Sequence, residues 1–223
     1  MKRWFMDLGR LTCCMPARFL LLLKKRRTDG SRYRGAPKGA AVIVCNHVGM
    51  MDPFLLDCWF WTRRIFFLAS EQVMAQPVAG TLLRGMGCIR IDREHADLDA
   101  IRTSVGLLKQ GHLLGVFPQG GIQSELTQIK GGAILIALRA GVPILPMYTA
   151  RRRHWYSRRL LVVGEPLDPT GYCTKKFPGM ADIERLSGLL LARMEECRAA
   201  YETMKGEVHG HDAAPQDPAG AGV

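Results

Sequence analysis

Val42-Ile43-Val44-Cys45-Asn46-His47-Val48-Gly49-Met50-Met51-Asp52-Pro53 decides how the rest of the chain is read. Its first four residues form an apolar, largely β-branched run, which reads as a buried strand. Asn46 and His47 end the run, and Gly49 supplies a turn former. Asp52-Pro53 reads as a helix start, with Asp52 as the N-cap and Pro53 at the first helical position. His47 and Asp52 therefore share one strand-to-helix turn. A turn this short can bring a carboxylate onto one imidazole nitrogen, fixing the tautomer and leaving the other nitrogen to accept a proton. Read locally, the same residues also describe a capped loop, and the turn by itself does not decide between the two.

Outward from this turn, strands and helices alternate. Apolar strands are expected at 41–45, 65–69, 88–91, 113–117, 143–149 and 160–164. Helices are expected at 53–61, 71–86 with a break at Pro77, 96–110, 130–140 and 181–205. This order predicts a single α/β domain with a mostly parallel sheet flanked by helices. In such a sheet, loops at the carboxyl ends of strands carry function. The two prolines of Gly141-Val142-Pro143-Ile144-Leu145-Pro146-Met147 point to a boundary or edge position for that strand.

The charge is uneven. The 223 residues carry 31 Lys and Arg against 20 Asp and Glu, a net +11 that implies an anionic partner. Ten of the basic residues lie within 1–34, from Lys2 to Arg34, whereas 206–223 hold none. Within 4–23, Trp4, Phe5, Leu8, Leu11, Met15, Phe19 and Leu22 recur at helical spacing, and Pro16 is expected to divide the segment into two helical pieces. Charges interrupt the apolar run too often for a transmembrane span, and the flanks do not fit a cleavable signal. The segment reads as a basic amphipathic element lying in a membrane interface; the alternative is a helix packed on the domain. Seven scattered cysteines without paired metal-ligand spacing read as reduced thiols. The expected organisation is a membrane-docking segment at 1–34, a domain at 35–205 and a disordered tail at 206–223.

Three more stretches fall at strand ends. Gly87-Cys88-Ile89-Arg90-Ile91-Asp92-Arg93 would put cations beside the His47 loop if its strand neighbours that of Val42–Cys45. Gly115-Val116-Phe117-Pro118-Gln119-Gly120-Gly121 exposes backbone N–H groups that suit an anion or a developing oxyanion. Lys130-Gly131-Gly132 opens the next helix and can add a cation to the same cleft. The third is the Pro143–Pro146 stretch, followed by the basic and aromatic run Arg151–Arg159. Basic residues interleaved with aromatics suit nucleic acid, a membrane interface or a nucleotide-bearing cofactor; no nucleic-acid fold signature accompanies them.

Together, His47-x4-Asp52, Gly87–Arg93, Phe117-Pro118-Gln119-Gly120 and Val142–Pro146 resemble, in order and spacing, the four sequence blocks of the glycerolipid acyltransferases. The nearest class is the lysophosphatidic acid (1-acylglycerol-3-phosphate) acyltransferases, and the likeness covers roughly 35–170. The resemblance implies transfer of a fatty acyl group from acyl-CoA or acyl carrier protein to a lipid hydroxyl, with no metal or other cofactor. His47 and Asp52 would be the catalytic pair. Asn46, Arg90, Arg93, Gln119, Gly120, Gly121 and Lys130 would be the substrate-binding residues. The implied partners are an anionic membrane surface, a lysophospholipid acceptor and the acyl donor, at the cytoplasmic face of the membrane. Cys45 reads as a core thiol rather than a nucleophile. The third block departs from the family's Phe-Pro-Glu-Gly-Thr-Arg: Gln119 replaces Glu, and Gly121-Ile122 replace Thr-Arg. That arginine is associated with the acceptor's phosphate. Either Arg93 and Lys130 take its place, or the acceptor is a different lyso-lipid or a glycolipid. A non-catalytic basic protein bound to membrane or nucleic acid is the competing class.

Overall fold

The computed structural model describes residues 3–92, 97–119, 129, 131–151, 159–172 and 179–209. Seven strands form one sheet: β1 (Leu23–Arg27), β2 (Ala41–Cys45), β3 (Ile65–Ser70), β4 (Ile89–Ile91), β5 (Leu113–Val116), β6 (Ile144–Thr149) and β7 (Arg159–Val163). They lie in the order β1-β7-β6-β2-β5-β3-β4. Every neighbouring pair is parallel except β6 and β7, which are antiparallel. The mostly parallel α/β domain expected from the alternation is present.

Helices α1 (Arg3–Leu20), α2 (Asp52–Trp59), α3 (Glu71–Met74), α4 (Pro77–Met86), α5 (Leu98–Lys109), α6 (Gly132–Ala140) and α7 (Met180–His209) connect and cover the sheet. One core layer joins Ile43 and Cys45 of β2 to Leu55, Leu56 and Trp59 of α2 and to Cys14 of α1. The opposite layer joins Val42 and Val44 to α5, α6 and α7. All five residues of β2 are buried, as expected for a strand covered on both faces.

Four features depart from the sequence reading. The sheet begins at Leu23, inside the stretch assigned to the docking segment, because Leu23–Arg27 pair in parallel with Arg159–Val163. Pro16 does not divide α1. A proline removes one helical hydrogen bond, and buried Cys14 with half-buried Ala17 anchors the helix to the core on both sides of it. β6 is not an edge strand; it lies between β7 and β2. Pro146 is tolerated there because its polar edge faces β7 just where that ladder ends, with only its carbonyl in use, accepting from Gly164 N–H. The expected tail lies outside the described residues except for 206–209, which continue α7.

Candidate active site

The strands that run parallel bring the ends of β2, β5 and β6 to one edge of the sheet. On the turn leaving β2, His47 Nδ1 lies 2.8 Å from Asp52 Oδ2. A carboxylate only accepts hydrogen bonds, so Nδ1 carries the proton and Nε2 presents its lone pair. The same Asp52 oxygen accepts from the backbone N–H groups of Val48 at 2.7 Å and Gly49 at 2.8 Å. Asp52 is therefore not the N-cap expected from sequence. Met51 occupies that position without a side-chain cap, and Asp52 begins the helix with its carboxylate turned back across the loop. The imidazole and two loop amides supply more donors than the cap would. The Asp52 side chain is 4% exposed and His47 is 16% exposed, so the carboxylate is shielded while the imidazole edge reaches solvent.

The third block holds the first. The His47 ring stacks on Phe117, with centroids 4.4 Å apart and planes at 23°. Phe117 in turn stacks on Phe67 at 5.9 Å and 8°. Gly115 makes room for this column, since a Cβ there would lie 2.4 Å from the Phe67 ring. Gln119 Oε1 accepts from the His47 backbone N–H at 2.7 Å. A carboxamide oxygen can accept this bond as a carboxylate would, but brings no second negative charge beside Asp52. That gives the Glu-to-Gln departure a physical sense. It also makes Gln119 a support of the His47 backbone.

Two other expected substrate contacts are redirected. Asn46 is 3% exposed, and its amide is committed at both ends: Nδ2 donates to Thr149 O at 2.8 Å, and Oδ1 accepts from Thr149 N–H at 2.9 Å. It clamps the end of β2 to the end of β6. Arg90 does not flank the His47 loop, because β5 and β3 separate β4 from β2. Its guanidinium pairs with Glu71 at 2.7 Å on the exposed surface. Arg93, Gly120, Gly121 and Lys130 lie outside the described residues. Cys45 is buried, and burial pushes its thiol well above the ordinary value, with the charge on Asp52 adding to the rise. That matches a core thiol.

Sequence reading missed Arg159. β7 opposes β6, so Arg159 at the start of β7 lies at the edge where β6 and β2 end. Its Nε is buried without a hydrogen-bond partner among the described residues. Burial pushes its pKa down, and the charge on Asp52 opposes that shift. Arg159 was hidden in the run Arg151–Arg159, whose residues 152–158 lie outside the described residues.

The chain is similar to known acyltransferases in sequence and fold. The model of a family described as Acyltransferase matches residues 25–150. A 1-acyl-sn-glycerol-3-phosphate acyltransferase of Bacillus subtilis is 26% identical over 160 residues, 70% of this chain and 79% of that protein. A lyso-ornithine lipid O-acyltransferase of Pseudomonas aeruginosa is 30% identical over 156 residues, 69% of this chain and 54% of that protein. Among solved structures, the lysophosphatidic acid acyltransferase PlsC from Thermotoga maritima has the same fold, with a TM-score of 0.56 at 20% identity over 96% of this chain and 83% of that one.

Proposed function

The chain belongs to the acyltransferase family, and from that premise we propose that it moves a fatty acyl group from acyl-CoA or acyl carrier protein to the free hydroxyl of lysophosphatidic acid. The observation that carries the reading is the His47–Asp52 hydrogen bond at a parallel-strand edge. His47 Nε2 takes the proton of the acceptor hydroxyl as its oxygen attacks the thioester carbonyl carbon. The C–O bond forms, the C–S bond breaks, and the thiolate leaves and recovers a proton. An alcohol needs such a base, whereas a thiolate departs with little acid help. Asp52 holds the imidazole tautomer and stabilises the imidazolium. No acyl-enzyme is required. Gly120 and Gly121 remain the proposed donors to the developing oxyanion, and Arg93 and Lys130 remain candidates for the acceptor's phosphate. Arg159 joins them, as a described cation at the sheet edge where β2 and β6 end.

A membrane setting is part of the proposal. Met50 and Met51, between the two catalytic residues, are 63% and 54% exposed. Phe19, Leu20 and Leu22 are exposed at the end of α1. β1 follows β7 in direction, so Leu23 lies at the same sheet edge as Arg159 and the His47 turn. Apolar side chains thus lie exposed along the sheet edge that carries the His47 turn, which suits a lipid interface. No described helix is long and apolar enough to cross a membrane.

A second reading keeps the chemistry and changes the acceptor to a lyso-lipid without a phosphomonoester. The Gly121-Ile122 substitution favours it, as does the likeness to a lyso-ornithine lipid O-acyltransferase. A panel of lysophosphatidic acid, lysophosphatidylcholine and lyso-ornithine lipid, read by thiol release from a long-chain acyl-CoA, separates the two. The lysophosphatidic acid reading predicts clear preference for the phosphomonoester. It also predicts that R159M raises the KM for that acceptor about ten-fold, the size of one charge-assisted contact, with a smaller change in kcat. Equal rates on a phosphate-free acceptor would remove the reading.

A further inference from the structure

Along the same sheet edge, but separated from β2 and the His47 turn by β7 and β6, the end of α1 and the edge strand β1 enclose a cavity of about 290 Å³. Its charged lining is cationic: Arg18, Lys24, Lys25, Arg26 and Arg32 line it beside Tyr33, and among the described residues no Asp or Glu does. An adjoining cavity of about 330 Å³ shares Arg18, Lys24 and Arg32 and is walled by the apolar Phe19 and Leu22. The excess charge originates in the sequence. Between Leu8 and Met51 there are nine Lys or Arg and one acid, Asp29. Asp29 accepts from Ser31 N–H, and the nearby Glu165 pairs with Arg27, which does not line the cavity. Among the described residues no carboxylate pairs with Arg18 or Arg32.

Lys25 and Arg26 are held in place by the surrounding chain. Lys25 is 7% exposed, with its ammonium donating to the Gly35 carbonyl and lying 4.3 Å from the centroid of the Phe60 ring. Arg26 donates to Gly30 O at 3.1 Å. A short antiparallel bridge between Arg26 and Arg32 ties the following turn back onto β1. Burial and then the Arg18 charge push Lys25 down to about 7.

We infer that this cavity is a binding site for the phosphate of an anionic membrane phospholipid, separate from the acceptor that reacts at His47. The headgroup phosphate lies among Arg18, Lys24 and Arg32, and the acyl chains continue past Phe19, Leu20 and Leu22 into the bilayer. Cations at the floor and apolar side chains at the rim match an amphiphile better than a free anion. The site rests on the membrane setting proposed above and gives it a specific anchor: one bound lipid fixes the end of α1, and with it the sheet edge that carries His47, against the interface.

Vesicle co-sedimentation of the full chain, in the absence of acyl donor, tests this without reference to catalysis. R18Q/R32Q removes two cations from the cavity; R34Q/K38Q removes two exposed cations from the same region that do not line it. The expected result is at least about a ten-fold weaker partition of R18Q/R32Q onto phosphatidylcholine vesicles containing phosphatidylglycerol, against a two-fold change or less for R34Q/K38Q. Matching melting temperatures for the variants show that the fold is kept. Equal losses for the two pairs would mean diffuse attraction and overturn the site. Displacement by millimolar inorganic phosphate at constant ionic strength would assign it to the free anion and overturn the lipid assignment. Absence of wild-type binding would overturn the docking reading as well, while leaving the acyl-transfer assay as an independent measurement.

Discussion

His47→Ala is expected to lower the rate of acyl transfer by about 10²–10⁴-fold, the range for loss of a positioned general base. The imidazole keeps one ring nitrogen that Asp52 does not engage, and nothing else in the turn can replace it. Val48 and Gly49 contribute backbone donors, Asp52 is 4% exposed on its side chain, and Cys45 is a buried thiol whose pKa is pushed well up. The KM for the acyl donor should change much less, because the base acts on the acceptor. Folding should survive: the ring stacks on Phe117 but is not enclosed, and Asp52 keeps its two backbone donors after the ring is removed. A melting temperature close to that of the wild type, with activity near background, is the expected pair of results.

Asp52 separates orientation from stability. Asp52→Asn keeps the shape but weakens the hold on Nδ1 and no longer enforces the tautomer, so a loss of about 10²–10⁴-fold is expected with a modest change in melting temperature. Asp52→Ala should lose activity to a similar degree and also destabilise the turn. It leaves the Val48 and Gly49 N–H groups without their acceptor, at about 1–3 kcal/mol for each that stays buried and unpaired. If D52A melted like the wild type, the three hydrogen bonds on Oδ2 would not be holding the turn. If D52N kept wild-type kcat, the carboxylate would not be orienting the base.

Local patterns were legible in the sequence, and long-range arrangement was not. β2 was readable because a strand buried on both faces is a continuous apolar run, and the His47–Asp52 spacing is set within one turn. β1 was missed because Leu-Lys-Lys-Arg-Arg does not look like a strand; it is an edge strand, where charge is tolerated and discourages further pairing. Pro143 and Pro146 suggested an edge, but a proline is excluded only where its absent N–H would be needed. The order of strands has no local signature, so Arg90 could be assigned to the His47 loop only on the condition that β4 and β2 are neighbours. Phe117 and Gln119 were singled out as parts of a turn. Their support of His47 from an adjacent strand, like the placement of Arg159 at the sheet edge that carries His47, exists only once the sheet is assembled.

The central claim is that His47 deprotonates the acceptor directly, with no covalent intermediate on the protein. Rapid mixing of the wild-type protein with a long-chain acyl-CoA, followed by thiol release and by the intact mass of the protein, tests it most directly. Thiol is expected only when lysophosphatidic acid is present, with one ester formed per thiol released and a protein mass that never increases. A stoichiometric burst of thiol without acceptor, with the acyl group retained on the protein, would contradict it.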